Sequence, residues 1–361
     1  MSVPDLVVAG GGIVGLTSAL AAARRGLRVT VVDQPRSGAA SRTAAGLLAP
    51  SVGAAASAVR DAGVAARDYY PEFLQGLLQR TDIDVPLDRA GLLELAFTAQ
   101  DFDRLSSGAP AGAERLDAPA LAALEPALAG HAGALLHPGD GAVDNAILMN
   151  ALDVAVARQA RIARVTDEVA SFDPRGNLPG FRSRGGARYA GHRLLVANGA
   201  WAGSLPGIPR PLPVRPVRGQ LLRLDGAPVR HVVYGGGGYV VPRGPSVLVG
   251  ATSEDVGFDA GITQRALKDL RAIAARAVPM LGKASLVEHW SGLRPMAADG
   301  LPILGSDPEI PALCYACGFS RNGILLAPWA AEQILPLLLG GRLTDAAAPF
   351  SVERLGARTG L

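Results

Sequence analysis

The chain begins its first structural unit with the run Asp5-Leu6-Val7-Val8-Ala9-Gly10-Gly11-Gly12-Ile13-Val14-Gly15. An Ala/Leu-rich segment continues to Gly26, and a second apolar run, Arg28-Val29-Thr30-Val31-Val32, ends at Asp33. This pattern predicts a strand, a glycine turn, a helix and a second strand. Gly10 permits the tight turn, Gly12 lets the backbone approach a pyrophosphate, and Gly15 lets the helix pack closely on the strand. The N–H groups and dipole of the helix N-terminus would then face the phosphates.

Asp33 strengthens this interpretation. It follows Gly15 by 18 residues, where a carboxylate accepts hydrogen bonds from ribose hydroxyls in such units. A lone glycine pattern is weak evidence, because glycine-rich turns are common. Here the strand, the helix and the acidic residue occur together, and the combination predicts a dinucleotide site that NAD or FAD would fit.

Composition narrows the class of protein. The 361 residues are 49% hydrophobic and 19% charged, so we expect a large core and either two domains or one with an insertion. The net charge of +3 comes without a run of basic residues interleaved with aromatics, so nucleic-acid binding is not expected.

No run reaches the ~18 apolar residues of a membrane span, and we expect a cytoplasmic protein. Cys314 and Cys317 lie in an apolar run, which favours buried strand residues over a redox pair, and no metal site is predicted.

Strand–helix pairs at the start, middle and end of the chain enclose strands that look antiparallel. Apolar periodicity predicts helices at 57–80, 99–106, 117–128, 145–158, 263–280 and 324–339. Apolar runs predict strands at 91–97, 133–137, 165–172, 192–197, 219–224, 229–234, 239–242, 246–252, 287–294 and 313–317. The order predicts an α/β protein whose Rossmann-like dinucleotide-binding domain comprises residues 1–84, 141–215 and 299–361. An inserted α+β substrate domain, residues 85–140 and 216–298, would be built on a mixed, largely antiparallel sheet.

Only one dinucleotide fingerprint is present. The second glycine cluster, Gly235-Gly236-Gly237-Gly238, lacks the preceding buried strand and the following helix, so it predicts a hairpin tip. A separate nicotinamide domain is therefore not expected. If the cofactor is FAD, its electrons must come from a bound substrate.

Five further stretches carry a resemblance to a known family. They are Ala44-Ala45-Gly46-Leu47-Leu48, Ala197-Asn198-Gly199-Ala200-Trp201, Pro216-Val217-Arg218-Gly219, Trp290-Ser291-Gly292-Leu293-Arg294-Pro295 and Gly318-Phe319-Ser320-Arg321-Asn322-Gly323-Ile324-Leu325-Leu326-Ala327-Pro328. In collinear order over nearly the whole chain, they resemble the D-amino-acid oxidase superfamily of FAD-dependent oxidoreductases, and the last two are most similar to its glycine oxidase branch. The resemblance implies an FAD domain and a substrate domain whose mixed sheet roofs the flavin.

The resemblance also implies roles for single residues. Asp33 would bind the adenosine ribose, Ser41 the pyrophosphate and Val169 the adenine through its backbone, while Ala45, Gly46 and Leu47 would line the flavin ring. The other implied FAD-binding residues are Gly10, Gly12, Ile13, Val14, Gly15, Gln34, Gly199, Gly318, Arg321, Asn322, Gly323 and Ile324.

At the reacting end, the resemblance implies that Arg294 pairs with a substrate carboxylate and that Tyr239 hydrogen-bonds the same group, as the two catalytic residues. Leu47 and Arg321 would also contact the substrate, and contact with the flavin alone is the open alternative for Arg321. A carboxylate in a closed apolar pocket requires a bidentate partner that is always charged, which arginine supplies. The helix N-terminus after Arg321 would stabilise negative charge on the reduced flavin.

The activity implied is FAD-dependent oxidative deamination of a small amine or amino acid of the glycine, sarcosine or D-amino-acid type. Hydride would pass from the α-carbon to flavin N5, and the resulting imine would hydrolyse, with hydrogen peroxide formed if oxygen is the acceptor. No protein base is needed if the amine enters neutral. Two alternatives stay open: a dehydrogenase, alone or as a subunit of a complex, that uses another electron acceptor, and a flavin-binding partner without turnover. A homo-oligomer is also compatible with the sequence.

Three positions depart from related patterns. Gly237 stands where glycine oxidases often have histidine, and Ser253 where they often have methionine, so pocket volume and polarity are expected to differ. Glycine itself therefore need not be the substrate. Sarcosine oxidases of the superfamily bind flavin covalently through a cysteine, and Gly292 occupies the matching position here, which predicts non-covalent FAD.

Overall fold

A computed structural model describes residues 3–53 and 57–356. The helices are α1 (Ile13–Arg24), α2 (Ala40–Thr43), α3 (Ser57–Thr81), α4 (Ala99–Ser107), α5 (Ala118–Leu124), α6 (Asn145–Arg158), α7 (Gln264–Ala277) and α8 (Gly323–Leu338). The strands are β1 (Leu6–Ala9), β2 (Val29–Asp33), β3 (Leu47–Leu48), β4 (Leu87–Asp88), β5 (Leu92–Ala96), β6 (Glu114–Asp117), β7 (Gly133–His137), β8 (Gly141–Val143), β9 (Ile162–Thr166), β10 (Val169–Asp173), β11 (Gly180–Ser183), β12 (Arg188–Ala190), β13 (Arg193–Val196), β14 (Val214–Asp225), β15 (Val232–Gly235), β16 (Gly238–Arg243), β17 (Ser246–Gly250), β18 (Leu286–Ala297), β19 (Ile303–Ser306) and β20 (Leu313–Cys317).

A six-stranded sheet in the order β19-β20-β13-β1-β2-β9 forms one half of the molecule, and all its neighbouring strands run parallel except β19 and β20. β1 lies inside this sheet and is buried on both faces. Leu6 and Val8 pack towards helices α1, α3, α6 and α8, whereas Val7 and Ala9 pack towards Phe172 and Phe181 of a small antiparallel sheet, β10-β11-β12. Burial on both faces explains why the sequence of β1 is a continuous run of apolar residues.

An eight-stranded sheet in the order β18-β14-β17-β16-β15-β5-β7-β6 forms the other half. Only the β5–β15 pair is parallel, so the sheet is mixed and largely antiparallel, as predicted. One face is covered by α5 and α7, whose residues Leu121 and Leu270 are fully buried against it. The opposite face carries Leu221, Val241 and Leu248, which pack with Ala45 and Ala142 at the boundary with the first half.

The six-stranded sheet draws its strands from 6–33, 162–196 and 303–317, and the eight-stranded sheet draws its strands from 92–137 and 214–297. The division into domains of residues 1–84, 141–215, 299–361 and 85–140, 216–298 is compatible with this distribution and remains a proposal. No helix in the described ranges is long and apolar enough to cross a bilayer. Cys314 and Cys317 are buried in β20 as free thiols, as predicted.

The glycine hairpin is confirmed, since Gly236 and Gly237 connect β15 to β16 with φ angles of +65° and +94°. The single strand predicted over 165–172 is wrong. The chain forms β9 in the large sheet, turns at Asp167 and Glu168, and enters the small sheet as β10. The Asp167 carboxylate accepts a hydrogen bond from the Glu168 N–H at 2.8 Å, which stabilises this turn.

The helix predicted over 117–128 also differs from the structure. α5 ends at Leu124, and Pro126 begins a separate 3-10 turn that extends to Leu128. Helical backbone is disfavoured at a residue that precedes proline, and Glu125, which precedes Pro126, is extended, so the helix breaks there.

Helix α3 is attached to the start of α8 by a hydrogen bond from the buried Tyr70 hydroxyl to the Ile324 carbonyl. We expect Tyr70→Phe to lower the free energy of unfolding by about 1–3 kcal/mol, because the buried carbonyl would lose its partner. Tyr69→Phe is the matched control, since its half-buried hydroxyl contacts Glu332 only at 3.5 Å. Urea unfolding followed by circular dichroism measures both. Equal losses in the two variants would contradict the assignment.

Candidate active site

A cavity of about 750 Å³ lies between the two halves of the molecule. It begins at the glycine turn after β1 and continues to the face of the eight-stranded sheet formed by β14, β16 and β18. Every residue predicted to bind FAD or substrate lines this cavity except Gly15. A Cβ on Gly15 would overlap the carbonyl of Gly10, so Gly15 permits the close packing of α1 on β1.

The glycine turn leaves no room for side chains. Gly10 has a φ of +111°, a Cβ on Gly11 would lie 2.6 Å from the Asp33 carboxylate, and a Cβ on Gly12 would lie 2.9 Å from the Ser41 hydroxyl. The Ile13 N–H at the start of α1 donates to Ser41 Oγ at 3.0 Å. Backbone N–H groups and a hydroxyl therefore meet at a helix N-terminus without acidic residues in its first turn, which fits a pyrophosphate.

The adjacent wall carries Asp33 at the end of β2, together with Gln34 and Val169. Asp33 is partly exposed, and its carboxylate lies 3.5 Å from the Arg164 guanidinium. Arg164 is also paired with Asp153 at 2.8 Å. Asp33 thus keeps acceptor capacity for ribose hydroxyls.

Residues 45–47 form the middle of the cavity wall as an extended segment held from two sides. Gly46 has a φ of +82° and accepts a hydrogen bond from the Val143 N–H at 2.8 Å. Arg243 of β16 donates to the Ala45 carbonyl at 2.8 Å. This backbone is therefore held by hydrogen bonds from both halves where Leu47 lines the cavity.

The opposite wall contains Gly199, the turn beginning at Gly318, and the N-terminus of α8. Gly318 has a φ of +69°, and Asn322 precedes the first helical residue, Gly323. No acidic residue lies in the first turn of α8, so this end can stabilise a negative charge in the cavity. The buried Oδ1 atom of Asn198 has no hydrogen-bond partner within the described ranges. An unpaired polar atom in the wall fits a site built for a polar cofactor.

Arg294 and Tyr239 meet at the far end of the cavity. Burial lowers the pKa of the Arg294 guanidinium, and the nearby charge of Arg321 acts in the same direction. Burial raises the pKa of the Tyr239 hydroxyl, although Arg294 and Arg321 oppose this. Arg321 itself is exposed and lines the cavity. No carboxylate in residues 3–53 and 57–356 pairs directly with Arg294.

A network that the sequence did not predict holds Arg294. Its Nη1 donates to the Thr252 carbonyl at 2.9 Å. The Thr252 hydroxyl is hydrogen-bonded to Glu254 and accepts from the Gln220 N–H at 2.9 Å. The Glu254 carboxylate pairs with buried Arg218 at 2.7 Å. These contacts leave the remaining guanidinium donors of Arg294 available to the cavity.

Tyr234 was also missed, although the hairpin signal could have found it. A two-residue hairpin at Gly236 and Gly237 pairs Tyr234 with Tyr239, and both aromatic residues line the cavity. Gly219, on the neighbouring strand β14, leaves room for the Arg294 guanidinium, since a Cβ there would overlap it.

The three departures from related patterns have different consequences. Gly237 lines the cavity and has open space around it. Ser253 is exposed and is not among the described residues that line the cavity. The sequence predicted that this residue would change the pocket, and its position does not support a direct effect. A Cβ on Gly292 would overlap the Thr43 hydroxyl, so a cysteine would not fit without movement of Thr43. This agrees with non-covalent FAD.

The fold and cavity together define a dinucleotide-dependent oxidoreductase with a second, sheet-forming half over the cofactor site. Residues 5–335 match the family described as FAD dependent oxidoreductase, and the chain belongs to that family. Glycine oxidase of Geobacillus kaustophilus is 33% identical over an alignment of 374 positions, which covers 99% of this chain and 98% of that protein. A crystal structure of glycine oxidase from Geobacillus kaustophilus has a TM-score of 0.90 at 31% identity, with 98% of this chain and 99% of that chain covered. Iminodiacetate oxidase from Chelativorans sp. BNC1 has a TM-score of 0.88 at 25% identity, with 96% and 98% covered.

These relationships confirm the predicted family, the α/β fold class and FAD as cofactor. They also confirm the predicted enzyme class, an FAD-dependent oxidoreductase of amines or amino acids. The roles of individual site residues stay predictions.

Gly12→Ala tests the pyrophosphate end. We expect the purified protein to contain much less FAD, because the new methyl group would contact Ser41 and occupy the approach of the phosphates. The ratio of flavin to protein absorbance measures this. Gly76→Ala in α3 is the control, since its methyl group would meet only the flexible end of Arg80. Full FAD content in Gly12→Ala would exclude this turn from the cofactor site.

Proposed function

We propose that this protein oxidises a small primary or secondary amine that carries a carboxylate. The observation that carries the proposal is the partly buried guanidinium of Arg294, which faces the cavity beside Tyr239 without a carboxylate partner in the described part of the chain. A buried charge that lacks a partner is costly, so such a position favours an anionic ligand. The names of the relatives, glycine oxidase and iminodiacetate oxidase, support a carboxylate-bearing amine.

In this proposal Arg294 binds the substrate carboxylate through two of its N–H groups, and the Tyr239 hydroxyl donates a hydrogen bond to the same carboxylate. The Thr252 carbonyl fixes the guanidinium by accepting the Nη1 hydrogen bond. When bound, FAD supplies the two-electron oxidant that accepts hydride from the α-carbon. The residues of the chain therefore orient the substrate and hold its charge, and the apolar side chain of Leu47, which lines the cavity, excludes water.

Proton transfer by a side chain is not part of the proposal. Histidine is absent from the described residues that line the cavity. Tyr239 keeps its proton at neutral pH because burial raises its pKa. The ionisable side chains close to Tyr239 are Tyr234, Arg294 and Arg321. None of them is a carboxylate or an imidazole that could accept a proton from the amine, so the amine is proposed to enter in its neutral form.

Arg321 favours a second substrate candidate within the same class, an amine with two anionic groups. It is an exposed cation that lines the cavity close enough to influence both Tyr239 and Arg294. A second carboxylate on the substrate could pair with it. Contact with the flavin alone is the competing role for Arg321.

Oxygen is the proposed electron acceptor, since the relatives named above are oxidases. No observation in the described residues favours another acceptor. A cytoplasmic location is proposed from the two free, buried cysteines, which suit a reducing compartment. A homo-oligomer stays a prediction from the sequence.

Anaerobic flavin bleaching by a panel of amines tests this function. Glycine, sarcosine, iminodiacetate and D-amino acids are compared with amines of similar size that lack a carboxylate. We expect carboxylate-bearing amines to bleach the flavin, and readmitted air to restore its colour with formation of hydrogen peroxide. Slow reoxidation would favour a dehydrogenase, and failure of every amine would favour a flavin-binding partner without turnover.

Arg294→Ala should lower kcat/KM for carboxylate-bearing amines by about 100-fold or more, because a buried charge-assisted pair is lost. The loss should appear mainly in KM. Arg223→Ala is the matched control, since Arg223 lies on β14 of the same sheet and pairs with Glu288 at 3.6 Å. Unchanged saturation behaviour in Arg294→Ala would remove Arg294 from the pocket.

The rate of flavin reduction at saturating substrate should rise with pH by about tenfold per unit below the pKa of the bound amine, since only the neutral amine reacts. Stopped-flow absorbance measures this rate. Tyr239→Phe should weaken substrate binding and retain the shape of the profile, because Tyr239 is not the titrating group. A rate independent of pH would contradict entry of the neutral amine.

A further inference from the structure

Residues 254–262 form a segment, here called the strap, that leaves the eight-stranded sheet after β17 and lies against the nucleotide-binding half. The first strap residue is fixed by two backbone hydrogen bonds between Glu254 and Arg218, each of 2.9 Å. The Thr263 N–H donates to the Gln220 side chain at 2.9 Å just after the last strap residue. Both ends of the strap are therefore attached to β14.

The middle of the strap is attached as well. The Asp259 carboxylate pairs with Arg218 at 2.7 Å, and Arg218 is only 4% exposed. The Ser291 hydroxyl of β18 donates to the Ala260 carbonyl. These contacts hold the strap in one position relative to the sheet.

The strap touches the segment that follows Asp33. A Cβ on Gly38 would lie 2.8 Å from the Ala260 side chain, so only glycine allows this approach. The Leu293 N–H of β18 donates to the Gly38 carbonyl at 2.8 Å. The strap and β18 thus both contact Gly38, in the segment that follows β2.

Three side chains extend this contact. The ring of Phe258 in the strap stacks on Trp201 with a centroid separation of 5.6 Å and an interplanar angle of 21°. The Arg36 guanidinium lies 4.7 Å from the Trp201 ring centroid. Arg36 also pairs with Glu168 at 3.1 Å. The result is a continuous set of contacts from the strap to the turn between β9 and β10.

This set borders the dinucleotide end of the cavity. Arg36, Trp201 and Glu168 line the cavity together with Asp33 and Val169, whereas Phe258 supports Trp201 from outside and is 46% exposed. An aromatic side chain that is this exposed buries little area in a core, so its stabilising contribution comes mainly from stacking on its partner ring. Phe258 is therefore placed to hold Trp201 and Arg36 rather than to stabilise a core.

We propose that the strap retains FAD, with Phe258 as a positioning residue that acts through Trp201 and Arg36. The stacked rings and the guanidinium keep the wall beside the adenosine part of the cofactor closed. Release of FAD requires this wall to move, and separation of Phe258 from Trp201 is part of that movement. FAD release is thereby slowed without any contact between the strap and the reacting atoms.

The rate of FAD release tests the proposal. Holoprotein is diluted, and released FAD is followed by the increase in flavin fluorescence. Phe258→Ala should release FAD roughly two- to tenfold faster than the unaltered protein, as expected for the loss of one aromatic pair. Phe258→Tyr should restore a rate near that of the unaltered protein, because it keeps the ring. Met280→Ala is the control, since Met280 is a large apolar residue that is 67% exposed and lies outside the strap.

The melting temperature of the apoprotein separates retention from general stability. A purely structural role would lower this temperature and leave FAD release from the folded protein unchanged. An unchanged release rate in Phe258→Ala would overturn the proposal, and so would an equal acceleration in Met280→Ala or a failure of Phe258→Tyr to restore retention. No amine is used in the measurement, so its result does not depend on the proposed substrate.

Discussion

The attachment of residues 38–46 to both halves of the molecule determines the shape of the cavity. β18 contacts this segment through the Leu293 N–H bond to Gly38 and through Trp290, whose indole N–H donates to the Thr43 carbonyl at 2.9 Å. From the other side, Val143 donates to Gly46. All three bonds end on backbone carbonyls of this segment, and two of them come from backbone N–H groups, so a shift of the segment would leave buried donors or acceptors unpaired. The cavity therefore keeps its width without depending on the side chains that line it.

Two helix N-termini face this cavity. α1 follows β1 and α8 follows β20, and both strands run parallel to β13, so the two helices begin at the same edge of the six-stranded sheet. Neither helix has an acidic residue in its first turn. Their dipoles thus favour negative charge at separate points of the cavity. Arg294 adds a third positive region on the facing sheet, where Glu254 balances its charge from a distance and Thr252 accepts its hydrogen bond. This arrangement allows an anionic cofactor and an anionic substrate to bind in one cavity.

Local signals in the sequence predicted much of the fold. The helix over 145–158 has the bounds that its apolar periodicity indicated, and Asp144 caps it by accepting from the Ala146 and Ile147 N–H groups. The strand at 313–317 was predicted with the correct bounds as well, because a strand buried on both faces is a continuous apolar run in the sequence. The prediction over 165–172 was wrong because Asp167 and Glu168 turn the chain into a second sheet. The short strands β3, β4 and β8 were missed because partners distant in sequence determine them.

The sequence alone determined the strand–turn–helix unit of residues 5–33, including the glycines that let the backbone approach a neighbouring group closely. It also determined the family resemblance, which Arg294 and the segment after Gly318 carry. These features are local, so residue type and spacing are enough to reveal them. The tertiary structure decided which groups meet at the substrate end. Thr252 contacts Arg294, and Gln220, Glu254 and Arg218 are linked to Thr252, because β14, β17 and β18 pair side by side. Strand pairing over such sequence distances leaves no periodic signal in the chain. For the same reason only the structure brought Phe258 onto Trp201, two aromatic residues that lie 57 positions apart in the sequence.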